Sequence, residues 1–420
     1  MAEIDRYFTV MVDSGASDLH LSSNCPPMLR VHGSMTTIPM EGVLDAAVLR
    51  PLLFEIAPEK NRKQFDESGD TDFAYSLEPH GRFRCNFFLD RHGIGAVFRL
   101  IPSKILTVDD LNLSQAIRNL CYLPKGLVLV TGPTGSGKST TLCALIDMIN
   151  RTRQDHVITI EDPIEFVHQN KQCLINQREV GIHTGSFKNA LRAALREDPD
   201  IVLVGEMRDL ETTEIAIETA ETGHLVFGTL HTSTAYSTVD RLIDQFPADR
   251  QDQIRTMLAS SLKGVVAQNL LKRKDGSGRI AALEVLIANH SIASNIREGK
   301  TYQIPSAMQT GGKYGMILLN DALHDLVAKG IVSPEEAYRK ALNKEEILNK
   351  FQQAGIRFNP DSLTNEIPAA PAQAGTAAPA MPASPPPAAA PRATPAAPPP
   401  QQPQSGGFTD PFEEFKRKQT

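Results

Sequence analysis

Tryptophan is absent from this chain of 420 residues, and aromatics together make up only 6% of it. A groove that holds single-stranded nucleic acid needs aromatic platforms among cations, and the formal net charge of -6 supplies no general excess of cations. No nucleic-acid partner is expected. Cysteine is scarce as well: Cys25, Cys85, Cys121, Cys143 and Cys173 are odd in number, widely spaced and free of any C-x-x-C pair. That pattern speaks against a disulfide framework and against a zinc site, and leaves buried thiols as the expectation. No apolar run approaches the roughly 18 to 20 residues that span a bilayer. The start, Met1-Ala2-Glu3-Ile4-Asp5, lacks the basic and apolar regions of a signal peptide, so the expected location is cytoplasmic.

What the sequence does contain is a glycine loop in a telling context. Gly132, Pro133, Thr134, Gly135, Ser136, Gly137, Lys138 and Ser139 follow the apolar run 127–130 and precede the helix-compatible segment 140–149, which Thr140 opens. Strand, glycine loop and helix in that order define a P-loop. The glycines let successive N–H groups converge on phosphate oxygens, and the helix adds its positive N-terminal end. Lys138 is then placed against the β- and γ-phosphates, and the Ser139 hydroxyl against Mg²⁺.

A length of 420 residues exceeds one core and predicts two or three units. Residues 1–100 read as a small α/β or α+β unit: an amphipathic start (Ile4, Phe8, Met11, Val12), then strands over 18–21, 28–31, 71–75, 82–88 and 95–100. Alternation puts Phe83 and Cys85 on one strand face and Arg82 and Arg84 on the other, where two arginines can reach a phosphate or simply face solvent. Residues 101–112 read as a connector and hinge. From 113 to 359, buried-strand runs alternate with helical segments, the pattern of an α/β fold with a parallel sheet and crossover helices. The runs 127–130, 157–160, 201–204 and 225–230 each pass directly into polar residues. In open α/β sheets such residues meet in one crevice beyond the carboxyl ends of the strands. Further on, 255–271 fits a helix, 280–287 a strand and 320–329 a helix, and Ser333 caps a last one. Residues 360–420 read as a disordered tail, Pro/Ala-rich over 367–407 and ending in Phe408, Phe412, Phe415 and Lys416-Arg417-Lys418.

Hydrolysis of a nucleoside triphosphate needs a metal near the β/γ bridge, a group that activates water, and cations on the transition-state charge. Glu206, two residues past the strand 201–204, is placed to hold Mg²⁺. Glu165, where Pro163 turns the chain across the site, is the candidate base, with Glu161 the other choice. Arg192 and Arg196 share a helical stripe with Lys188, opposite Phe187, Leu191 and Leu195. Arg208 and Arg241 follow other site elements, so the candidates for transition-state fingers come from these arginines. His224 and His231 bracket the strand 225–230; a strand-end histidine can bond the γ-phosphate or the acidic loops.

These residues carry a resemblance. The loop 132–139, Ile158-Thr159-Ile160-Glu161-Asp162-Pro163-Ile164-Glu165, Gly205-Glu206-Met207-Arg208-Asp209 and the stretch from Thr222-Gly223-His224 to His231-Thr232 are similar to the P-loop, acidic box, second acidic motif and histidine box of the secretion ATPase superfamily. Ala16-Ser17-Asp18-Leu19-His20, Arg82-Phe83-Arg84, Ala96-Val97-Phe98-Arg99 and Ile304-Pro305-Ser306-Ala307-Met308-Gln309-Thr310 resemble more narrowly its type IV pilus retraction ATPases. The likeness covers residues 1–355. It implies a PAS-like N-terminal domain, a RecA-like ATPase domain using ATP and Mg²⁺, and a homohexamer disassembling pilin fibres at the cytoplasmic face of the inner membrane. The implied partners are an inner-membrane platform protein and a paralogous motor. The implied catalytic set is Glu165 as base, Glu206 on the metal with Ser139, and Arg208, His231, Arg82 and Arg84. Ser291-Ile292-Ala293-Ser294-Asn295-Ile296-Arg297-Glu298 departs from the family's late-helix motif, which leaves an accessory ring subunit as the alternative. The tetracysteine insertion usual in extension ATPases is absent, and the tail lies outside the likeness.

Overall fold

In the computed structural model, which describes residues 2–31, 34–38, 42–101 and 105–360, the described chain through 360 belongs to one compact unit containing two sheets. The first holds β1 (Asp18–Ser22), β2 (Met28–Val31), β3 (Ser34–Thr37), β4 (Asp70–Leu77), β5 (Gly81–Asp90) and β6 (Gly93–Ile101). Their order is β3-β2-β1-β6-β5-β4, with every neighbouring pair antiparallel. Period-two alternation along β5 buries Phe83, Cys85 and Phe87 and exposes Arg84. Helices Asp5–Asp13, Ala46–Ile56 and Glu59–Ser68 pack on the buried face, where Phe8 stacks on Phe83 at 4.3 Å and Phe65 meets Phe87 edge-on at 6.3 Å.

The second sheet holds β7 (Gly126–Thr131), β8 (His156–Glu161), β9 (Leu174–Glu179), β10 (Ile201–Val204), β11 (Leu225–Leu230), β12 (Leu262–Lys272) and β13 (Arg279–Ile287), ordered β13-β12-β7-β11-β10-β8-β9. Six strands run parallel and β13 closes one edge antiparallel. Every residue of β7, β10 and β11 is buried, as a sheet covered on both faces requires. Leu127 and Leu129 of β7 enter one apolar layer and Val128 and Val130 the other. A further cluster gathers Leu271 and Ala282 with helices Leu319–Ala328, Pro334–Lys340 and Lys344–Gln353. The α/β fold with its parallel sheet is thus as read from the sequence.

Several local expectations are corrected. The segment 255–271, read as one helix, is the end of helix Gln251–Ser261 followed by β12. Buried on both sides over 264–269, β12 shows no period-two alternation, and its β-branched Val265 and Val266 favour the strand. Strands β3 and β9 were not expected; β3 is wholly exposed and β9 is mostly polar, so neither has an apolar signature. Leu195 is an exposed helix end rather than part of a buried stripe, and Cys25 is exposed while the other four cysteines are buried. No described helix is long and apolar enough to cross a membrane. The proline turn 102–104 of the expected hinge and the tail beyond 360 lie outside the described residues.

Candidate nucleotide and catalytic site

Parallel order sends the carboxyl ends of β7, β8, β10 and β11 to one edge of the sheet, so the loops that follow them share a crevice. After β7, residues Gly132, Pro133, Thr134, Gly135, Ser136 and Gly137 lead into helix Lys138–Thr152, whose first turn includes Ser139 and Thr140. Gly132 and Gly137 have φ of 141° and 90°, and a Cβ on Gly132 would strike the Gln268 carbonyl and the Ser136 hydroxyl. Only glycine fits that contour. Gln268, buried on β12, donates from Nε2 to the Ser136 carbonyl (2.6 Å) and accepts from Thr141 Oγ1 (2.8 Å). It therefore ties the loop to the first helical turn. Ser136 Oγ is buried with no hydrogen-bond partner in a loop shaped to surround an anion, which fits a phosphate group.

Lys138 lies over this loop. Its Nζ donates to the carbonyls of Gly132 (2.8 Å) and Pro133 (3.2 Å) and stands 3.4 Å from His231 Nδ1. Burial lowers its pKa, opposed by the charges of Glu206 and Glu165. Both carboxylates therefore lie within electrostatic reach of the ammonium. Glu206 accepts from Arg208 Nε at 2.5 Å and lies 2.8 Å from His231 Nε2. Burial pushes its carboxyl up, but the hydrogen bond and charge of Arg208, with His231, outweigh it and hold the carboxyl below its usual range. Arg208 is raised in turn, first by that hydrogen bond. The Glu206 carboxylate and the Ser139 hydroxyl are hard oxygen donors of the kind Mg²⁺ takes beside phosphate oxygens.

The two candidate bases have different surroundings. Glu161 accepts from Thr159 Oγ1 (2.6 Å) and Gln177 Nε2 (3.2 Å), and burial pushes its carboxyl up. It lines a small cavity of about 40 Å³ with Ser139, Thr159 and Gly205. Glu165 follows Ile164, whose N–H donates to Glu179 Oε2 (3.1 Å), and its charge is felt at Lys138.

Other sequence-derived residues lie further out. Arg82 reaches across from β5 to Glu179 (2.5 Å) rather than to the P-loop, and Arg84 is exposed. Arg192, Arg196 and Arg241 are exposed, and Lys188 pairs with Glu211. His224 stands at the opposite end of β11 from His231, bonded to the Thr219 carbonyl at 3.2 Å. Sequence reasoning missed Gln268 and Glu179. Gln268 was hidden by the helical reading of its segment, and Glu179 by the polar character of β9; each stands out only by its burial, which the sequence does not carry.

This fold and crevice define a P-loop nucleotide-binding protein of the α/β class. More narrowly, residues 4–355 match the family described as Type II/IV secretion system protein, and the chain belongs to that family. It is 51% identical over 339 residues to the type IV pilus retraction ATPase PilT of Pseudomonas aeruginosa, covering 81% of this chain and 98% of that one. It is 50% identical over 323 residues to a twitching motility protein of Neisseria gonorrhoeae, covering 77% and 86% of the two. Among solved structures, the pilus retraction motor PilT with bound ADP aligns with a TM-score of 0.77 at 42% identity, covering 83% of this chain and 99% of that one.

Proposed function

We propose that this protein is a motor ATPase that couples ATP hydrolysis to retraction of type IV pili by removal of pilin subunits, the work of twitching motility. The observation that carries the reading is the convergence of Lys138, Glu206 and Glu165 on one crevice. The loop N–H groups cradle the phosphates, and Lys138 exchanges the Gly132 and Pro133 carbonyls for phosphate oxygens. Ser139 and Glu206 would hold Mg²⁺, which would supply positive charge beside the phosphates. Glu165 accepts a proton from water as its oxygen attacks the γ-phosphorus and the bond to ADP breaks. Arg208 holds Glu206 anionic and adds positive charge to the site, and His231 Nε2 hydrogen-bonds the same carboxylate. Arg84 is assigned to a nucleotide across a subunit boundary, and Arg82 serves the site from its place at Glu179.

The same reading gives a homohexamer, peripheral to the cytoplasmic face of the inner membrane, whose partners are the pilus platform protein and a PilT paralogue, with no nucleic acid. Its parts are a PAS-like domain over 1–100, a linker over 101–112, a RecA-like domain over 113–359 and a tail from 360. Two helices inserted between β3 and β4 of an antiparallel sheet support the PAS-like assignment. The accessory-ring reading draws on helix His290–Arg297, which retains buried Ile292 and Ile296 but presents an altered surface. Steady-state turnover by the purified protein separates the two, and deletion of the gene is expected to leave cells piliated but without twitching. A turnover-deficient protein, or twitching in the deletion strain, ends the motor assignment.

A further inference from the structure

Glu179 ends β9 with its side chain 3% exposed, and one of its oxygens serves two separate parts of the molecule. Glu179 Oε2 accepts from Arg82 Nη2 of the N-terminal sheet at 2.5 Å and from the Ile164 N–H of the acidic loop at 3.1 Å. The Glu179 N–H itself donates to His183 Nδ1 (3.0 Å), which fixes the turn that follows. Lys60, on another element of the N-terminal sheet's helical cover, donates to the Gly181 carbonyl in that same turn at 2.6 Å. The N-terminal sheet thus grips the end of β9 at two points, and Glu179 passes the grip to the residue before Glu165.

We propose that Glu179 is a positioning residue for Glu165 and that Arg82 governs it, so that ATP hydrolysis depends on how the N-terminal sheet is seated against the ATPase sheet. The inference rests on the assignment of Glu165 as the base. Burying a carboxylate without a partner is costly, and Arg82 is the cation paired with Glu179. With Arg82 in place, the paired Glu179 carboxylate holds the Ile164 N–H by a hydrogen bond, which orients Glu165 toward Lys138. When the N-terminal sheet moves away, Glu179 loses its counter-charge and the acidic loop loses its anchor. Arg82 Nε, buried and without a hydrogen-bond partner, shows that this seat does not use all of the guanidinium's donors.

The test uses the full-length protein and ATP, with thermal melting to establish folding. Glu179→Gln keeps an acceptor for Ile164 but loses the charge pairing with Arg82, and Arg82→Ala removes the cation from the other side. Each is expected to lower kcat about tenfold or more while KM for ATP and affinity for ADP stay near wild type, because the phosphate cradle is untouched. The double variant is expected to be no worse than Arg82→Ala, and Arg82→Lys to recover part of the rate. Wild-type kcat in both single variants overturns the proposal, as do losses that multiply in the double variant, since these place Arg82 on the nucleotide independently of Glu179. Should Glu179→Gln not fold, the comparison of Arg82→Ala with Arg82→Lys decides on the same kcat criterion. Glu165→Gln is measured in parallel. Full activity there removes the base assignment and this inference together, whereas an inactive Glu165→Gln beside unaffected Arg82→Ala and Glu179→Gln removes the positioning role alone.

Discussion

Lys138 and Glu165 face the same crevice but are asked to do different things, and their variants should separate accordingly. Lys138 acts on phosphates in ground and transition states, so Lys138→Ala is expected to abolish turnover and weaken nucleotide binding. Glu165→Gln leaves the cradle intact, so binding of a fluorescent nucleotide is retained while hydrolysis falls by at least about a hundredfold, the scale of a lost general base. If Glu161→Gln is dead and Glu165→Gln active, the base is the other carboxylate; the hydrogen bonds of Thr159 and Gln177 already engage Oε1 of Glu161. Gln268 belongs to the same scale. Its amide bridges the Ser136 carbonyl and Thr141 Oγ1, so Gln268→Ala leaves two buried polar groups unpaired and is expected to raise KM for ATP about tenfold or more. An unchanged KM would show that the loop holds its own shape. The P-loop and both acidic loops were legible because their residue types and spacing are themselves the chemical requirement. Gln268 was not, because its role comes from a strand brought beside the loop by long-range pairing of β12 with β7.

At the scale of elements, legibility followed periodicity. The strands of the N-terminal sheet that alternate, and the runs that became β7, β8, β10 and β11, lie where the pattern put them. Strand β12 did not, because a strand buried on both faces carries no period to distinguish it from a helix. The same burial hides the role of Glu284 on β13. Its carboxylate accepts from the Ala235 N–H (2.6 Å) and the Leu319 N–H (3.1 Å), which joins the starts of the helix after the histidine loop and the first C-terminal helix. Glu284→Ala leaves both donors buried and unpaired, and is expected to cost roughly 2 to 5 kcal/mol, measured by denaturant unfolding. The pH dependence also has a defined sign. Burial raises the folded-state pKa of Glu284 above its ordinary value of 4.5. Stability contributed by its protonated form is therefore complete below that value and lost as pH rises through the folded pKa. Relative to Glu284→Gln, which does not titrate, the wild type should lose stability as pH is raised from 4.5, and a wild-type advantage that instead grows across that range would contradict the assignment.

For the whole molecule, the question is where the folded chain ends, because composition and packing mark that end differently. Composition changes after Asn359, where apolar residues other than alanine and proline become rare. Packing gives a sharper limit. Phe358 lies 5.2 Å from the Tyr338 ring and meets Phe351 edge-on at 6.1 Å, so the last C-terminal helix is closed by a residue beyond its own end. Ile356 joins the same cluster. The tail's aromatic residues Phe408, Phe412 and Phe415 lie outside the described residues; because a long tether ending in an aromatic, charged cluster can recruit a partner, recruitment is proposed for them. Truncation after Asn359 keeps the whole cluster and is expected to leave melting temperature, assembly and ATPase rate unchanged. Truncation after Gly355 removes Ile356 and Phe358, both half-buried, and uncovers part of the cluster they pack on, at a cost of roughly 1 to 2 kcal/mol in lost apolar burial. Its melting temperature should fall by several degrees. In cells, the longer truncation product tests the tail: lost polar localisation or pilus function, reproduced by Phe412→Ala with Phe415→Ala, supports recruitment, and normal behaviour in both leaves a dispensable tail. If truncation after Asn359 itself lowers the ATPase rate of the purified protein, the folded unit extends past the Phe358 cluster and the boundary has been drawn too early.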